Sequence, residues 1–230
     1  MRSVSCIAGI LIAFPLVAAD DGFVPLFNGK DETGWTFALR PPKDKPEEKP
    51  DPKKTWTVED GILKCTGKPN GYIATEKEYG NYELKLQWRY PKGSTGGNGG
   101  ILFHVQKDDR VWPHCIEAQL ASNKAGDVWL HADEKKVLPS IEIDPKRKDE
   151  ANKEGRHYFR VDRDKPIEKE IGEWNECEIG CKDGDIKIAV NGKPANDAVN
   201  CSLKKGRIAL QSEGSPIEFR EIRLRVAKSR

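Results

Sequence analysis

Between Ile101 and Leu120 apolar and polar positions alternate cleanly enough to divide the stretch into two sets. It reads as two strands, Ile101–Gln106 and Cys115–Leu120, joined by a charged loop around Asp108-Asp109-Arg110. Successive side chains on a strand point to opposite faces. Ile101, Phe103, Val105, Ile116, Ala118 and Leu120 form a wholly apolar face. Leu102, His104, Gln106, Cys115, Glu117 and Gln119 form a mostly polar one. Matching apolar face to apolar face in an antiparallel pair sets His104 about opposite Glu117.

The same alternation marks other strands. Tyr82, Leu84, Leu86, Trp88 and Tyr90 share one parity against Glu83, Lys85, Gln87 and Arg89, the signature of a half-buried strand. Trp56–Glu59 and Ile62–Cys65 flank an Asp60-Gly61 turn, and Trp174–Cys181 and Ile186–Val190 flank Asp183-Gly184. Asn191-Gly192 closes the latter pair. Near the start, Phe23–Gly29 enters as a short strand. Arg207–Gln211 and Ile217–Val226 are the last strands, and the second changes parity at Arg220-Glu221, as a β-bulge does. No segment of useful length has helical period, so the chain is all-β. Two charged stretches break the pattern: the Pro-rich loop Arg40–Lys54, and roughly Asp133–Ile171, which shows little periodicity and reads as a long loop.

The polar face of the central hairpin is unusual in its makeup. In a chain with 33% charged residues it contains no Lys or Arg, and offers His, Glu and two Gln. Hydrogen-bonding groups without long cationic arms suit a neutral polyol such as a sugar; the bland alternative is the solvated side of a sheet. The lead-in Gly96-Gly97-Asn98-Gly99-Gly100 allows close approach to the backbone.

Composition narrows the setting. Residues 1–19 hold Arg2, an apolar run and Val17-Ala18-Ala19, which is the pattern of a cleavable secretory leader. Its apolar run is too short to span a bilayer. The expectation is an exported, periplasmic or secreted protein whose residues 20–230 form a single domain. Without Arg2, 38 basic side chains face 37 acidic ones, too even a balance for an electrostatic nucleic-acid binder. Five of the six cysteines follow the leader, so at least one is unpaired within the chain. Cys177 and Cys181 are roughly 13 Å apart if extended, beyond the about 4.4–6.8 Å of a disulfide, leaving Cys201 as a candidate partner for either. Nothing in the sequence marks an oligomeric state.

Five stretches together resemble one family: LFNGKDETGW (Leu26–Trp35), GGILFHVQ (Gly99–Gln106), VWPHCIEAQL (Val111–Leu120), GEWNECEI (Gly172–Ile179) and RIALQSEGSPIEFREIRL (Arg207–Leu224). In their order and spacing they are similar to the 3-keto-disaccharide hydrolase domain family, over about Phe23 to Val226. Where a common version of the family reads Asn-Ser-Gly-Ile, this chain has Asn98-Gly99-Gly100-Ile101. The resemblance implies a concanavalin A-like jelly roll of two packed antiparallel sheets, with a pocket on the concave face, and cleavage of glycosides oxidised at C3. A C3 ketone acidifies the hydrogen on C2, so such a site needs a base, a stabiliser for the C3 oxygen and a proton donor to the leaving group. Glucanases of the same fold resemble one another in a Glu-x-Asp-x-x-Glu strand motif. Here Glu117-Ala118-Gln119-Leu120 lacks that Asp and the third acid, which argues against the two-carboxylate route.

On this reading His104, Glu117 and Arg220 are the candidate catalytic residues. His104 and Glu117 serve as base and partner, as two ligands of a divalent ion, or as a structural hydrogen bond. Arg220 suits an oxyanion stabiliser or an ion pair with Glu213 or Glu221. Gln119, Trp129, His131, Gln211 and Glu213 are the candidate sugar-binding residues, with Trp129 either stacking on a ring or packing in the core. A divalent metal is a possible cofactor, but the histidines show no His-x-x-x-His spacing that would identify its ligands. The competing function is a non-catalytic, lectin-like glycan-binding module.

Overall fold

The computed structural model describes residues 22–107, 110–142, 148–151, 157–160 and 166–227, the segments 148–151 and 157–160 by backbone alone. The leader read at residues 1–19 lies outside them. Among the described residues sixteen strands run in chain order. The first five are β1 (Val24–Pro25), β2 (Trp35–Leu39), β3 (Trp56–Glu59), β4 (Ile62–Cys65) and β5 (Gly71–Thr75). Next come β6 (Tyr82–Arg89), β7 (Gly100–Val105), β8 (Cys115–Gln119), β9 (Val128–His131), β10 (Lys148–Ala151) and β11 (His157–Arg160). The last five are β12 (Asn175–Lys182), β13 (Asp185–Val190), β14 (Lys193–Ala198), β15 (Arg207–Ser212) and β16 (Ile217–Val226).

They form two antiparallel sheets. Sheet A has the order β14-β13-β12-β6-β16-β4-β3, with β1 also on β16; sheet B is β10-β11-β9-β8-β7-β15-β5-β2. The all-β expectation of two packed antiparallel sheets is met. Among the described residues no helix is long and apolar enough to cross a membrane.

Alternation creates the core between the sheets. Tyr82, Leu84, Leu86 and Trp88 of β6 turn inward against a layer that includes Ile101, Phe103, Ile116, Ala118 and Leu130 of sheet B. Fully burying a large apolar side chain contributes about 1.5–3 kcal/mol each. The outward residues of β6 pair instead with charges: Lys85 with Glu178 at 2.9 Å and Arg89 with Glu218 at 2.6 Å. The Asp-Gly and Asn-Gly turns hold positive φ at both residues, as tight hairpins between right-twisted strands require: 51° and 77° at Asp60-Gly61, 51° and 72° at Asn191-Gly192. A second, smaller apolar cluster, Tyr72, Ala74, Leu102, Val105, Cys115 and Ala209, lies on the other, outer face of sheet B.

One loop stands as read and two expectations change. Arg40–Lys54 is the exposed loop expected, with a single 3₁₀ turn at Pro52–Lys54. The Asp133–Ile171 stretch is not all loop, because β10 and β11 extend sheet B beyond β9. All five described cysteines are buried and none of them forms a disulfide, so the expected Cys201 bridge is absent. Burial pushes the Cys201 thiol up to about 11 and that of Cys181 up to about 12, so both stay protonated near neutral pH.

Candidate active site on the outer face of sheet B

The bulge that organises the site sits in β7. Ala209 opposes Leu102 while Arg207 opposes Val105, so Phe103 and His104 together face the single residue Ile208. His104 takes the left-handed conformation, φ 52°, and parity changes beyond it. Val105 consequently joins Leu102 on the outer face, and His104 turns inward. Its ring lies edge-on to Tyr82 and Phe103, with centroids 5.8 and 5.7 Å away. Its Nδ1 donates to Leu203 O at 2.7 Å and its Nε2 lies 3.4 Å from Gly80 O. Gly206 is needed beside the bulge, since a Cβ there would lie 2.4 Å from the His104 carbonyl carbon.

The pairing of His104 with Glu117 is thus corrected. The residue opposite Glu117 is Leu102, and the bulge removes His104 from that face. Burial lowers the His104 pKa, against its two backbone acceptors. A histidine neutral in the fold but free to protonate when unfolded stabilises fully above its ordinary value of about 6.5, and this stability is lost as pH falls below it. His104→Gln is expected to cost about 1–3 kcal/mol in urea unfolding at neutral pH, to flatten stability between pH 7 and 5, and to leave turnover near the parent's. A His104→Gln protein that folds but has lost turnover would return His104 to the chemistry.

Glu117 instead meets His131. Across β8 and β9, Glu117 opposes Trp129 and Cys115 opposes His131, so Glu117 and His131 are diagonal neighbours on one face. His131 Nε2 donates to Glu117 Oε2 at 2.6 Å, with both side chains almost wholly buried. Gln211 on β15 donates from Nε2 to the same oxygen at 3.4 Å. Glu117 and Gln211 meet above Gly100. A Cβ on Gly100 would lie 2.3 Å from Glu117 Oε1 and 2.6 Å from Gln211 Oε1, so the missing side chain is what leaves room for them. The close approach allowed by the last glycine of the lead-in is therefore made by the protein's own acid and amide. Earlier in that run, Gly96 and Gly97 make room for Ser122 and Ser215.

Three atoms of this cluster are buried without a hydrogen-bond partner: Glu117 Oε1, Gln211 Oε1 and His131 Nδ1. Leaving a buried polar group unmade costs about 1–3 kcal/mol, so three in one place mark a site arranged for something other than stability. With Glu117 ionised, the His131 proton sits on Nε2 and Nδ1 is the basic nitrogen. Trp112, which the sequence reading did not single out, stacks over the His131 ring at 6.2 Å and 17°. His114 Nδ1 donates to the His131 carbonyl at 2.9 Å.

The remaining candidates divide. Trp129, half-buried, stands directly across from Glu117. Gln119 commits its carbonyl to Leu120 N and Ala121 N, both at 2.9 Å, and so shapes the loop after β8. Glu213 lies just past β15, half-exposed, and with Glu168 and Glu117 surrounds Tyr90. Burial first, then those three carboxylates, holds the Tyr90 hydroxyl far above its usual range; it stays protonated and donates to Leu120 O at 2.9 Å. Glu168 accepts from Ala125 N at 2.9 Å through one oxygen, and its other oxygen is buried without a partner.

Arg220 does not join the site. It precedes the bulge in β16, where Glu221 has φ 51° and the register with β6 shifts between Arg220 and Arg223. Paired with Gln87, it projects from the outer face of sheet A. There its Nε donates to Gln87 Oε1 at 2.8 Å and its guanidinium lies over the Trp174 ring at 4.1 Å, a ring that Arg89 also approaches at 4.4 Å. Neither Glu213 nor Glu221 is its partner in these contacts. A surface depression of about 1090 Å³ also lies on sheet A, and its lining includes the ion pairs Lys85–Glu178 and Glu83–Arg225. Among the described residues no group of three His, Cys, Asp or Glu side chains is arranged to hold a metal.

Two antiparallel sheets carry a buried acid–histidine pair on the outside of one, and the family match makes this a jelly-roll domain of the carbohydrate hydrolase-like class. The chain belongs to the 3-keto-alpha-glucoside-1,2-lyase-like domain family, whose model matches residues 22–225. It is 24% identical over 249 residues to a 3-keto-disaccharide hydrolase of Bacteroides thetaiotaomicron, across 90% of this chain and 79% of that protein. A crystal structure from Parabacteroides distasonis, provisionally described as a glycosyl hydrolase, superposes with a TM-score of 0.58 at 21% identity, over 90% of this chain and 94% of that one. The carbohydrate-binding module CBM66 of Bacillus subtilis gives 0.54 at 13% identity, over 83% and 94%. At these identities the two structures speak for the fold alone.

Proposed function

We propose that this protein is an exported enzyme that cleaves 3-keto-glycosides, with Glu117 and His131 as its acid–base pair. The observation that carries the reading is their 2.6 Å contact within a cluster of three unpartnered buried polar atoms, two of them over Gly100. His131 Nδ1 takes the proton from C2, and Glu117 steadies the imidazolium that results. The electron pair of the broken C2–H bond moves to C2–C3, and the ketone oxygen becomes an enolate. The Gln119 amide N–H groups are the proposed donors to that oxygen, while its side-chain carbonyl is held by the backbone. Collapse of the enolate restores the C3 ketone, forms C1=C2 and breaks the bond from C1 to the leaving group, which takes up the proton held by the His131 imidazolium. Water then adds a hydroxyl to C1 and a proton to C2, so that the sum is hydrolysis.

Solvent labelling tests the route. Turnover of a 3-keto-disaccharide in deuterated water is expected to place deuterium at C2 of the released 3-keto sugar, in parallel runs with and without a chelator. A parent protein that cleaves the substrate and leaves protium at C2 would rule out C2 deprotonation. A parent that cleaves no 3-keto-glycoside under either condition would rule out the activity.

A further inference from the structure

The outer face of sheet B has a second polar end. Along β15, Arg207, Ala209 and Gln211 point to this face: Gln211 pairs with Tyr72, Ala209 with Ala74 and Leu102, and Arg207 with Val105. Gln211 belongs to the Glu117–His131 cluster. Four residues back, roughly 13 Å at strand rise, Arg207 lines a pocket of about 390 Å³ with Thr36, Glu76, Glu78 and Lys107. Between the two polar ends lies the apolar patch of Ala74, Leu102, Val105 and Ala209, with Ala38 packed against it. The face therefore runs from a reactive polar cluster, over small apolar side chains, to a second set of polar groups.

The pocket's chemistry is that of a ligand site with both donors and acceptors. Arg207 Nε is buried without a hydrogen-bond partner, so a strong directional donor is left unused in the wall. Lys107 adds a second cation, Glu76 and Glu78 are acceptors, and Glu78 is partly neutralised by Lys205 at 3.5 Å. A simple anion site would not place two carboxylates in its lining. A sugar ring, whose hydroxyls both donate and accept, uses both kinds of group.

We propose that this pocket is a second sugar subsite, which holds a unit of the leaving group of a longer glycoside while the oxidised unit lies at Glu117 and His131. The proposal rests on the reading of the Glu117–His131 cluster as the sugar-cleaving site, and it adds a substrate class: oligosaccharides longer than one ring beyond the cleaved bond. The separation of the two polar ends exceeds a single pyranose ring, so a small aglycone cannot reach Arg207.

Binding separates this subsite from the chemistry. Unoxidised maltotriose and cellotriose lack the C3 ketone and report on binding alone. Titration of the full chain is expected to show binding of at least one of them, weakened about tenfold or more by Arg207→Ala and also reduced by Lys107→Ala, with glucose affinity unchanged by either. Arg207→Lys should recover part of the loss, because it restores a cation without the guanidinium fork. Trisaccharide affinities equal in parent, Arg207→Ala and Lys107→Ala would overturn the subsite, as would no binding of either trisaccharide by the parent. If 3-keto-glycosides prove not to be substrates but the Arg207-dependent trisaccharide binding holds, the subsite stands and the proposed reaction falls.

Discussion

Glu117→Gln is expected to reduce turnover of a 3-keto-disaccharide by about 10²–10⁴-fold, the usual worth of a positioned acid–base group. The carboxylate accepts from His131 at 2.6 Å and from Gln211 at 3.4 Å, and it has one oxygen to spare. An amide of the same shape keeps the volume but loses the charge that fixes the His131 tautomer and balances an imidazolium. His131→Ala should lose at least as much, and the double variant little more than the worse single one, because the two act as a unit. Deuterium incorporation at C2 should fall with cleavage in both. Near-parent turnover in folded His131→Ala would remove His131 as the base, with Glu117 Oε1 the next atom to test.

Gly100→Ala carries the second large effect. Its φ is not in the left-handed region, so an alanine meets no backbone penalty there. The added methyl group would instead sit 2.3 Å from Glu117 Oε1 and 2.6 Å from Gln211 Oε1, inside contact distance of both. Both side chains must move, at an overpacking cost of about 1–3 kcal/mol. Displacing a reactive group by about an ångström can cost 10²-fold, so activity should fall far more than stability. Activity and urea unfolding measured on one preparation check this. A Gly100→Ala protein with parent-like turnover would show that the arrangement of Glu117 and Gln211 over Gly100 is not the reactive one.

Where one face is buried and the other wet, alternation made the strands legible. β6 and β16 carry that pattern, and the Asp60-Gly61 and Asn191-Gly192 turns point to their hairpins by dipeptide alone. β5 went unseen for the opposite reason. All five of its residues are buried, so Gly71–Thr75 has no polar parity to betray it. β14 was hidden by Pro194, which a strand tolerates at a sheet edge, and β14 is the edge of sheet A. Tyr90, Glu168 and Trp112 gave no local signal, since loops and a neighbouring sheet bring them to the cluster.

The sequence by itself determined the all-β class, the face on which Glu117 and Gln119 stand, and the bulge at Arg220-Glu221. Each follows from side-chain parity within one strand, a property the chain carries locally. Only the tertiary structure decided which histidine Glu117 meets. The extra residue in β7 is defined against β15, more than a hundred positions away in the chain, and that pairing turns His104 into the core. The register of β9 on β8 then supplies His131 in its place. Arg220 was lost to the site in the same way, because parity states which face of a strand a residue takes but not which sheet the strand joins. Pairing between distant strands sets both, and it is driven by burial of the whole inter-sheet core.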